Sequence, residues 1–350
     1  LGYAVKMGYK VCIITGGRGK TLENRLRMLG INRYYTDCMD KITAMREYFA
    51  DEGIELRAAG ITIPIAVMNP EREAFDNMIM FNLEPEIYAL DILEDFNRAL
   101  NKHGIKRFPV HIKLNTGMNR SGFDEQDLPQ LLEFFQTERS VYIRSMFSHL
   151  AGSDETVHDE FTLGQIHLFE RMTERIQAQF NYKIWRHILN SAGIERFPQY
   201  HFDMVRLGIG LHGISATHAN LQPVSSFKTY ISSIRNVPAD QSIGYGRKSY
   251  TTRPSRIAVI PVGYADGLNR HLSNRVGNVF IKGKRVPIIG NICMDTCMID
   301  VTDTNATIGD EVEIFGKHIL VTELSEQLGT IPYEILTGIS HRVKRVYYKE

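Results

Sequence analysis

Cysteine is scarce in this sequence. The 350 residues contain four, Cys12, Cys38, Cys293 and Cys297, and no two of them form a CxxC pair. Cys293 and Cys297 have no histidine pair near them in the sequence, so their spacing gives no reason to expect a zinc site. We therefore predict reduced thiols, no bound metal and a cytoplasmic protein.

Long apolar runs and an excess of charge of one sign are also lacking. No apolar stretch approaches the length of a bilayer-spanning helix, and no signal peptide opens the chain. The formal net charge is +1, which provides no general attraction to nucleic acid or to an anionic membrane. We expect neither kind of partner. Because the chain starts at Leu1, in a segment that reads like the middle of a domain, we also expect a truncated N-terminus.

Strands and helices are predicted in regular alternation up to about residue 215. Short apolar runs such as KVCIITGG, IPIAVMN, FPVHIKLN and VYIRSMFSHL alternate with amphipathic segments such as DLPQLLEFFQT. Strict alternation predicts a parallel sheet with crossover helices. Eight such strands can be found, which is the number that a closed barrel requires. A doubly wound open sheet has the same alternation, so strand counting leaves it open.

The sequence changes character after residue 225. The runs FKTYISSIRNV, SRIAVIPVGYA, NVFIKGKRVPIIG, CMIDVTD and DEVEIFG are rich in β-branched residues, and Gly, Asp and Asn turns separate them. This pattern predicts a mostly antiparallel β-domain. The predicted fold class is therefore α/β, with a (β/α)8-type barrel followed by a mostly antiparallel β-domain at residues 226–350.

Polar side chains follow several of the predicted barrel strands. The active sites of such barrels lie at the C-terminal ends of the strands. Those ends carry cationic and polar side chains and a glycine turn: Lys113, Arg120, His149, Asn190, Ser191, Arg206, Gly208, Ile209 and Gly210. A serine hydroxyl beside the backbone N–H groups of a glycine turn is suited to binding phosphate. Each residue taken alone is better explained by an ordinary salt bridge or turn at the rim of the barrel.

Seven motifs together carry a resemblance to a known family. They are KLNTGMNRSGF, FSHLAGSD, NSAGIERFP, VRLGIGLHG, SIGYGRKSY, PVGYADGLNR and GNICMDTCMID, in this order after Gly53. In these motifs the chain resembles the alanine racemases, bacterial enzymes that bind pyridoxal 5′-phosphate (PLP) and consist of a barrel and a β-domain. The resemblance implies that residues 54–225 form the PLP-binding barrel. It also implies an isomerase that interconverts L- and D-alanine for peptidoglycan synthesis.

The resemblance implies catalytic roles for three residues. Tyr245 would transfer the substrate α-proton on one face, with cations near it to lower the pKa of its hydroxyl. His149 would connect Tyr245 to Arg206, and Arg206 would face the pyridine nitrogen of PLP. Because an arginine keeps its proton, that nitrogen would stay unprotonated and transamination would be suppressed.

The other matching residues would bind the cofactor and the substrate. Arg120 would contact the phenolic oxygen of PLP and the substrate, with Lys113 beside it as a site of carbamylation. A group of side chains and turn backbone would hold PLP: Asn190, Ser191, Gly208 and Ile209. A further group would complete the substrate pocket from the partner subunit, as Tyr245 would: Tyr264, Met294 and Asp295. The resemblance therefore implies a homodimer with composite active sites and alanine as the substrate.

One functional residue of that family has no match. The family attaches PLP through a lysine in a motif resembling VKADAYGHG, at the end of the first barrel strand, and this lysine is the second proton-transfer group. No such motif occurs in the chain. The upstream lysines do not follow an apolar strand with the required turn: Lys6, Lys10, Lys20 and Lys41. His341 stands where many relatives have a tyrosine that touches the phosphate.

Residues 1–53 resemble a different family. They look like the middle of a haloacid-dehalogenase-type phosphatase acting on 3-deoxy-octulosonate 8-phosphate, in which Thr15 and Lys41 would contact the phosphoryl group. The DxD nucleophile and the acidic pair for Mg²⁺ of that family are absent. We therefore interpret the chain as a chimera whose phosphatase-like β-α-β-α segment replaces barrel strands 1 and 2. Two alternatives to a racemase stay open: a non-catalytic PLP-binding protein and a fragment of a Mg²⁺-dependent sugar-phosphate phosphatase.

Overall fold

The computed structural model of the chain describes residues 12–14, 33–35, 51–217 and 221–347. These residues belong to two compact units, formed mainly by Val11–Gly210 and by Asn220–Glu350. In the first unit, β1 (Cys12–Ile14) and β2 (Arg33–Tyr35) form a two-stranded parallel sheet. Thr15, Lys41 and most of the predicted phosphatase-like segment lie outside the described residues.

The first unit also contains a five-stranded parallel sheet whose strand order follows the chain. Its strands are β3 (Ala66–Val67), β4 (Glu84–Ile87), β5 (Phe108–Lys113), β6 (Val141–Phe147) and β7 (Trp185–His187). The helices of this unit are α1 (Asp51–Ala58), α2 (Phe75–Met80), α3 (Leu90–Lys102), α4 (Leu128–Thr137), α5 (Asp159–Gln177) and α6 (Ser191–Arg196). Parallel neighbours joined through helices are the arrangement that the alternating sequence predicts.

The helices cover the sheet with their apolar faces. In α3, Phe96 and Leu100 lie four residues apart and are fully buried, as one face of an amphipathic helix requires. They belong to the same hydrophobic core as Val110 and Ile112 of β5. Because side chains alternate along a strand, His111 lies on the opposite face of β5 and points away from the helices.

A β-bulge in β6 decides which of its side chains point away from the helices. Val110 of β5 pairs with Ile143, but the next residue, His111, pairs with Ser145. Arg144 is therefore an extra residue on β6, and it reverses the alternation along the strand. As a result Ser145 lies on the same face as His111, in the interior of the barrel.

The last predicted barrel strand, in FDMVRLGIGLHG, is not a regular strand. Residues 203–208 are irregular, and Ile209–His212 form a 3-10 helix. This segment still lies beside the residues that follow β7, because the N–H of Arg206 donates to the carbonyl oxygen of Leu189 at 3.0 Å. Arg206 is thereby held beside the C-terminal end of β7.

The second unit is built from antiparallel sheets, as predicted. Its strands are β8 (Phe227–Tyr230), β9 (Ser233–Val237), β10 (Ser242–Ile243), β11 (Ser249–Tyr250), β12 (Ser255–Ile260), β13 (Asn278–Ile281), β14 (Lys284–Pro287), β15 (Cys297–Asp300) and β16 (Glu311–Phe315), with helices α7 (Val321–Leu328) and α8 (Pro332–Thr337). In residues 221–347 these strands form three sheets, with the orders β15-β12-β9, β14-β13-β16-β8 and β10-β11. Ile260, Val279 and Ile299 are buried in its core. No helix in residues 51–217 or 221–347 is at once long and apolar enough to cross a bilayer.

Candidate active site

Arg206 is held by hydrogen bonds on both terminal nitrogens of its guanidinium group. Nη2 donates to the carbonyl oxygens of Ser148 at 2.6 Å and of Ile188 at 3.2 Å. Nη1 donates to Nδ1 of His187 at 2.6 Å and to its carbonyl oxygen at 3.3 Å. Burial lowers the pKa of Arg206 to about 10, so the group remains a cation at neutral pH. The structure therefore fixes a positive charge at the end of β7.

The two histidines that contact Arg206 are uncharged. Nδ1 of His149 lies 3.2 Å from Nη2 of Arg206. Burial, together with the charges of Arg206, Arg120 and Lys113, lowers the pKa of His149 to about 4. Burial and Arg206 lower the pKa of His187 to about 2. Since a guanidinium group can only donate, both Nδ1 atoms accept, and each neutral ring carries its proton on Nε2.

Lys113 lies in the same interior, at the end of β5. It is 3% exposed, and its Nζ is 2.8 Å from Oε1 of the fully buried Glu86. Nζ of Lys113 and Cζ of Arg206 lie 5.9 Å and 5.3 Å from the ring centroid of Phe147. The two cations therefore contact one aromatic ring. A carbamate on Lys113 would place a second negative charge beside the Glu86 carboxylate, and the carbamylation that the resemblance implies stays a prediction.

Arg120 is exposed on a tightly folded loop after β5. Oδ1 of Asn115 accepts from the N–H groups of Gly117 at 3.2 Å and of Asn119 at 3.0 Å. Leu114 and Phe123 close the loop with an isolated bridge. The charge of Arg120 is close enough to lower the pKa of His149. The loop thus presents the arginine toward the same group of residues.

Ser191, at the start of α6, lies against the predicted glycine turn. Its Oγ accepts from the N–H of Gly208 at 2.9 Å and from the N–H of Gly210 at 3.1 Å. A Cβ atom at Gly210 would lie 2.8 Å from Leu207 Cδ1 and 3.4 Å from Ser191 Oγ, so a larger residue there would displace the Leu207 side chain. Both N–H groups are directed at the Ser191 hydroxyl, so a phosphate bound beside this hydroxyl would share these donors. The structure thus adds Gly210 to the turn residues Gly208 and Ile209 that the resemblance implies.

Asn190 supports the Ser191 cradle, which consists of the Ser191 hydroxyl and the N–H groups of Gly208 and Gly210. Its Oδ1 accepts from the N–H of Gly193 at 2.9 Å and from Oγ of Ser153 at 2.8 Å. The first of these bonds is an N-cap of α6. Asn190 therefore orients Ser191, and in the structure its side-chain oxygen is already occupied.

The predicted residues of the second unit lie on exposed turns that are bonded to one another. Tyr245 is 75% exposed, and its carbonyl oxygen accepts from Nδ2 of Asn291 at 2.6 Å. The N–H of Tyr264 donates to the carbonyl oxygen of Cys293 at 3.0 Å. Met294, the next residue, is 54% exposed. The strand-end turn 291–295 thus connects the two tyrosines.

Asp295 completes this surface through an arginine near the C-terminus. Arg342 pairs with Asp295 at 2.8 Å and with Asp266 at 2.6 Å. These bonds raise the pKa of Arg342, Asp266 having the largest effect. Asp266 lies in the same 3-10 turn as Tyr264, so one arginine ties together two of the turns that carry predicted site residues.

Sequence reasoning missed four buried residues behind Arg206: Glu84, His111, Ser145 and His187. His187 contacts Arg206 directly, and the other three continue a hydrogen-bonded chain from it. Each of the strands β4, β5, β6 and β7 contains more than one polar residue. The sequence alone therefore does not show which of these side chains face one another in the barrel.

The residues of the first unit fit PLP. Ser191 and its glycine turn suit the phosphate, and Arg206 offers a fixed donor suited to a ring nitrogen. Of the Arg206 donors, Nε–H has no acceptor among the described residues, so it is available to a ligand. By its fold and site, the chain is an α/β barrel of the kind that binds a phosphate-bearing cofactor, followed by a β-domain.

Comparison with known proteins identifies the family. The sequence models of the alanine racemase N-terminal and C-terminal domains match residues 33–216 and 224–347. Alanine racemase of Clostridium novyi is 36% identical over an alignment 357 positions long, gaps included, which covers 94% of this chain and 91% of that protein. The chain belongs to the alanine racemase family, and the predicted barrel and β-domain are confirmed.

Solved structures agree with this assignment. Alanine racemase of Clostridium difficile 630 has a TM-score of 0.80 and 31% identity, covering 97% of this chain and 89% of that one. The alanine racemase of Bartonella henselae, solved with covalently bound pyridoxal phosphate, has a TM-score of 0.76 and 29% identity, covering 99% and 96%. PLP is the cofactor that this family membership assigns.

These findings do not support the chimera. The racemase match begins at residue 33, within the segment 1–53 that the motifs had assigned to a phosphatase. The Clostridium novyi alignment covers 94% of the chain, so it also extends into that segment.

Proposed function

We propose that this protein binds PLP in its first unit and interconverts L- and D-alanine. The observation that carries the proposal is the Arg206 guanidinium, fixed by hydrogen bonds between two uncharged histidines. The Ser191 cradle adds support, because Gly208, which donates to Ser191, follows Arg206 by only two residues. So does the cycloserine complex of the Clostridium difficile enzyme, with 30% identity and a TM-score of 0.76.

PLP supplies an electron sink for the substrate α-carbon when it is bound. Ser191, Gly208 and Gly210 would hold its phosphate, and Asn190 would keep Ser191 in position for this contact. Arg206 would donate to the ring nitrogen and keep it unprotonated, because the arginine retains its own proton at neutral pH. Arg120 would bind near the ring from the loop after β5. Each of these groups acts by position and charge.

Tyr245 would move the α-proton on one face of the substrate. Its side chain is 75% exposed in the chain alone, as expected for a residue that reaches into a partner's barrel. In that position its hydroxyl would lie near the cations Arg206, Arg120 and Lys113, and neutral His149 would link it to Arg206. Tyr264, Met294 and Asp295 would close the substrate pocket. We therefore propose a homodimer with composite sites.

Attachment of PLP requires a lysine amine. Since the motif resembling VKADAYGHG does not occur in the chain, we propose that a lysine in a different sequence context carries this bond. In the cell the protein would act in the cytoplasm and supply D-alanine for peptidoglycan. Residues 54–225 and 226–350 would be its cofactor and substrate-closing domains.

A racemase assay with PLP tests the proposal. L-alanine is converted by the purified protein, and D-alanine is measured with a D-amino-acid oxidase. We expect Tyr245→Phe to reduce kcat by about 100-fold or more, the range for loss of a general acid–base group. Tyr250→Phe removes a hydroxyl from another exposed tyrosine of the same unit and is the matched control. Racemisation that survives Tyr245→Phe unchanged, or is absent from the wild-type protein, would contradict the proposal.

A further inference from the structure

A continuous chain of hydrogen bonds crosses the interior of the barrel behind Arg206. From His187 it passes through Nε2 to Ser145 Oγ at 3.0 Å, from Ser145 Oγ to His111 Nδ1 at 2.6 Å, and from His111 Nε2 to Glu84 Oε2 at 2.9 Å. All four side chains are buried. The chain ends at a carboxylate whose other oxygen accepts from Arg144 Nη1 at 2.7 Å.

One residue from each of four neighbouring strands contributes to this chain: Glu84 of β4, His111 of β5, Ser145 of β6 and His187 of β7. The interior layers of such barrels are usually filled by bulky branched side chains. A layer made of a carboxylate, two imidazoles and a hydroxyl is a departure from that rule. Burying these groups costs free energy unless every one is hydrogen-bonded.

Only one arrangement of protons satisfies every atom of the chain. Arg206 donates to Nδ1 of His187, so His187 has its proton on Nε2 and donates to Ser145. Ser145 then has its hydroxyl hydrogen free to donate to Nδ1 of His111. His111 accordingly carries its proton on Nε2 and donates to Glu84.

The alternative protonation of His111 leaves an unpaired group. If His111 were protonated on both nitrogens, Ser145 Oγ would receive two N–H donors. Its own hydroxyl hydrogen would then have no acceptor among the described residues. An unpaired buried hydroxyl is unfavourable by the full cost of its desolvation. The direction of every bond therefore follows from the cation at one end and the carboxylate at the other.

We propose that Glu84, His111 and Ser145 are positioning residues that lock His187, and through it Arg206, into one proton arrangement facing PLP. The inference rests on the proposed function for its purpose, since Arg206 matters as the partner of the cofactor ring. The chain of hydrogen bonds keeps Nδ1 of His187 an acceptor, so Nη1 of Arg206 stays bonded to that nitrogen. Nε–H is then the donor left for a ligand.

The proton arrangement can be read directly in the protein without PLP. Long-range ¹H–¹⁵N spectra of ¹⁵N-histidine-labelled protein distinguish the Nε2–H tautomer, the Nδ1–H tautomer and the doubly protonated ring. The variants His187→Asn and His111→Asn assign the two signals. We expect both rings to be neutral Nε2–H tautomers at pH 7. A doubly protonated His111, or an Nδ1–H tautomer in either ring, would overturn the proposed order.

Ser145→Ala tests whether the chain positions Arg206. We expect it to shift the ¹⁵N signals of both histidines and to weaken PLP binding, followed by absorbance titration, about tenfold, as for loss of a buried hydrogen-bond partner. Ser140→Ala is the matched control: Ser140 is a buried serine just before β6 whose hydroxyl donates to Asn101 Oδ1 at 2.6 Å, outside the chain. It should change neither signal nor affinity.

His111→Asn provides a conservative second variant. Its Oδ1 retains an acceptor for the Ser145 hydroxyl, so we expect the His187 signals to stay in the Nε2–H form. If Ser145→Ala shifts the histidine signals but leaves PLP affinity unchanged, the hydrogen bonds from His187 to Glu84 are structural only and the positioning role is wrong. If the wild-type protein does not bind PLP, the proposed function fails, while the spectra still decide the proton order.

Discussion

At the scale of single residues, the site is defined by which buried groups carry charge. Arg206 remains a cation although burial lowers its pKa to about 10. His149 and His187 beside it stay neutral because burial and that same cation lower their pKa values to about 4 and about 2. A fixed arginine between neutral imidazoles can donate to a ring nitrogen without giving its proton away.

The two histidines make the folded state sensitive to acid. In the unfolded chain they take up protons near pH 6.5, whereas in the folded protein they resist protonation until about pH 4 and about pH 2. Their contribution to stability is therefore fully present above about pH 6.5 and is lost as the pH falls below it. We expect each histidine to reduce the free energy of unfolding by about 1.4 kcal/mol per pH unit in that window.

Urea unfolding between pH 4.5 and pH 7.5 measures this slope. His149→Asn should make it shallower by the share of one histidine, while His201→Asn, at an exposed position, should leave it unchanged. An identical slope in the wild-type protein and in His149→Asn would show that His149 takes up its proton at the same pH in the folded protein as in the unfolded chain. The electrostatic account of the site would then be wrong.

The buried pair of Lys113 and Glu86 gives a second prediction at this scale. Removing one partner leaves an uncompensated charge in the barrel, so we expect Lys113→Met to lower the free energy of unfolding by about 3–5 kcal/mol. Lys228→Met removes one partner of an exposed pair, 2.8 Å from Glu311, and should cost about 1 kcal/mol or less. Equal losses in the two variants would contradict the ion pair. They would favour the carbamylated form of Lys113 that the family resemblance implies.

At the scale of elements, the loop that presents Arg120 depends on a glycine. Gly122 has a φ of +122°, and a Cβ atom there would lie 2.8 Å from the backbone nitrogen of Asn115. We expect Gly122→Ala to destabilise the protein by about 1–3 kcal/mol and to weaken PLP binding, because the backbone must shift under Arg120. Thermal unfolding and PLP titration measure the two effects.

Gly104→Ala separates the clash from the conformational strain. Gly104 also has a positive φ, +66°, but a Cβ atom there meets nothing within 4 Å. It should therefore show a smaller loss of stability and no change in PLP affinity. If the two variants behave alike, the contact with Asn115 has no part in holding the loop.

The element scale also shows what sequence reasoning could find. The strand ends after β5, β6 and β7 were predictable, because apolar runs followed by polar residues mark them, and they carry Lys113, His149 and Ser191. The interior layer was not predictable, since simple alternation along β6 places Ser145 on the same face as Ile143. The bulge at Arg144 reverses that phase, and a bulge depends on pairing with β5 that one strand's sequence does not contain.

The eighth barrel strand was mispredicted for a similar reason. The run from Phe202 to Gly213 is apolar enough for a strand, but its glycines and the hydrogen bonds to Ser191 turn the backbone into an irregular segment and a 3-10 helix. The function of the segment, which is to hold Arg206 and the cradle, survives this change of local structure.

At the scale of the whole molecule, the proposed site needs two chains. Arg206 lies in the first unit and Tyr245 in the second, and we propose that each active site takes them from different subunits. Coexpression of the inactive variants Arg206→Ala and Tyr245→Phe should then restore activity. Random pairing makes half of the dimers mixed, each with one intact site of two, so about a quarter of wild-type activity is expected.

The control for complementation is each variant expressed alone, which should remain inactive. A stable dimer on gel filtration without any restored activity would mean that Arg206 and Tyr245 of one site come from the same chain. Activity proportional to the amount of either single variant would mean that the substituted residue is not required.

The most direct test of the PLP site is addition of PLP, followed by borohydride reduction and peptide mass mapping. Reduction makes the bond between PLP and a lysine permanent, so the labelled peptide identifies the lysine. We predict a pyridoxyl label on one defined lysine. The amount of label should be smaller when cycloserine is present, and the label should be absent from Arg206→Ala. A label spread over many surface lysines, equal in the wild-type protein and in Arg206→Ala, would contradict the account and leave a racemase fold without a PLP site.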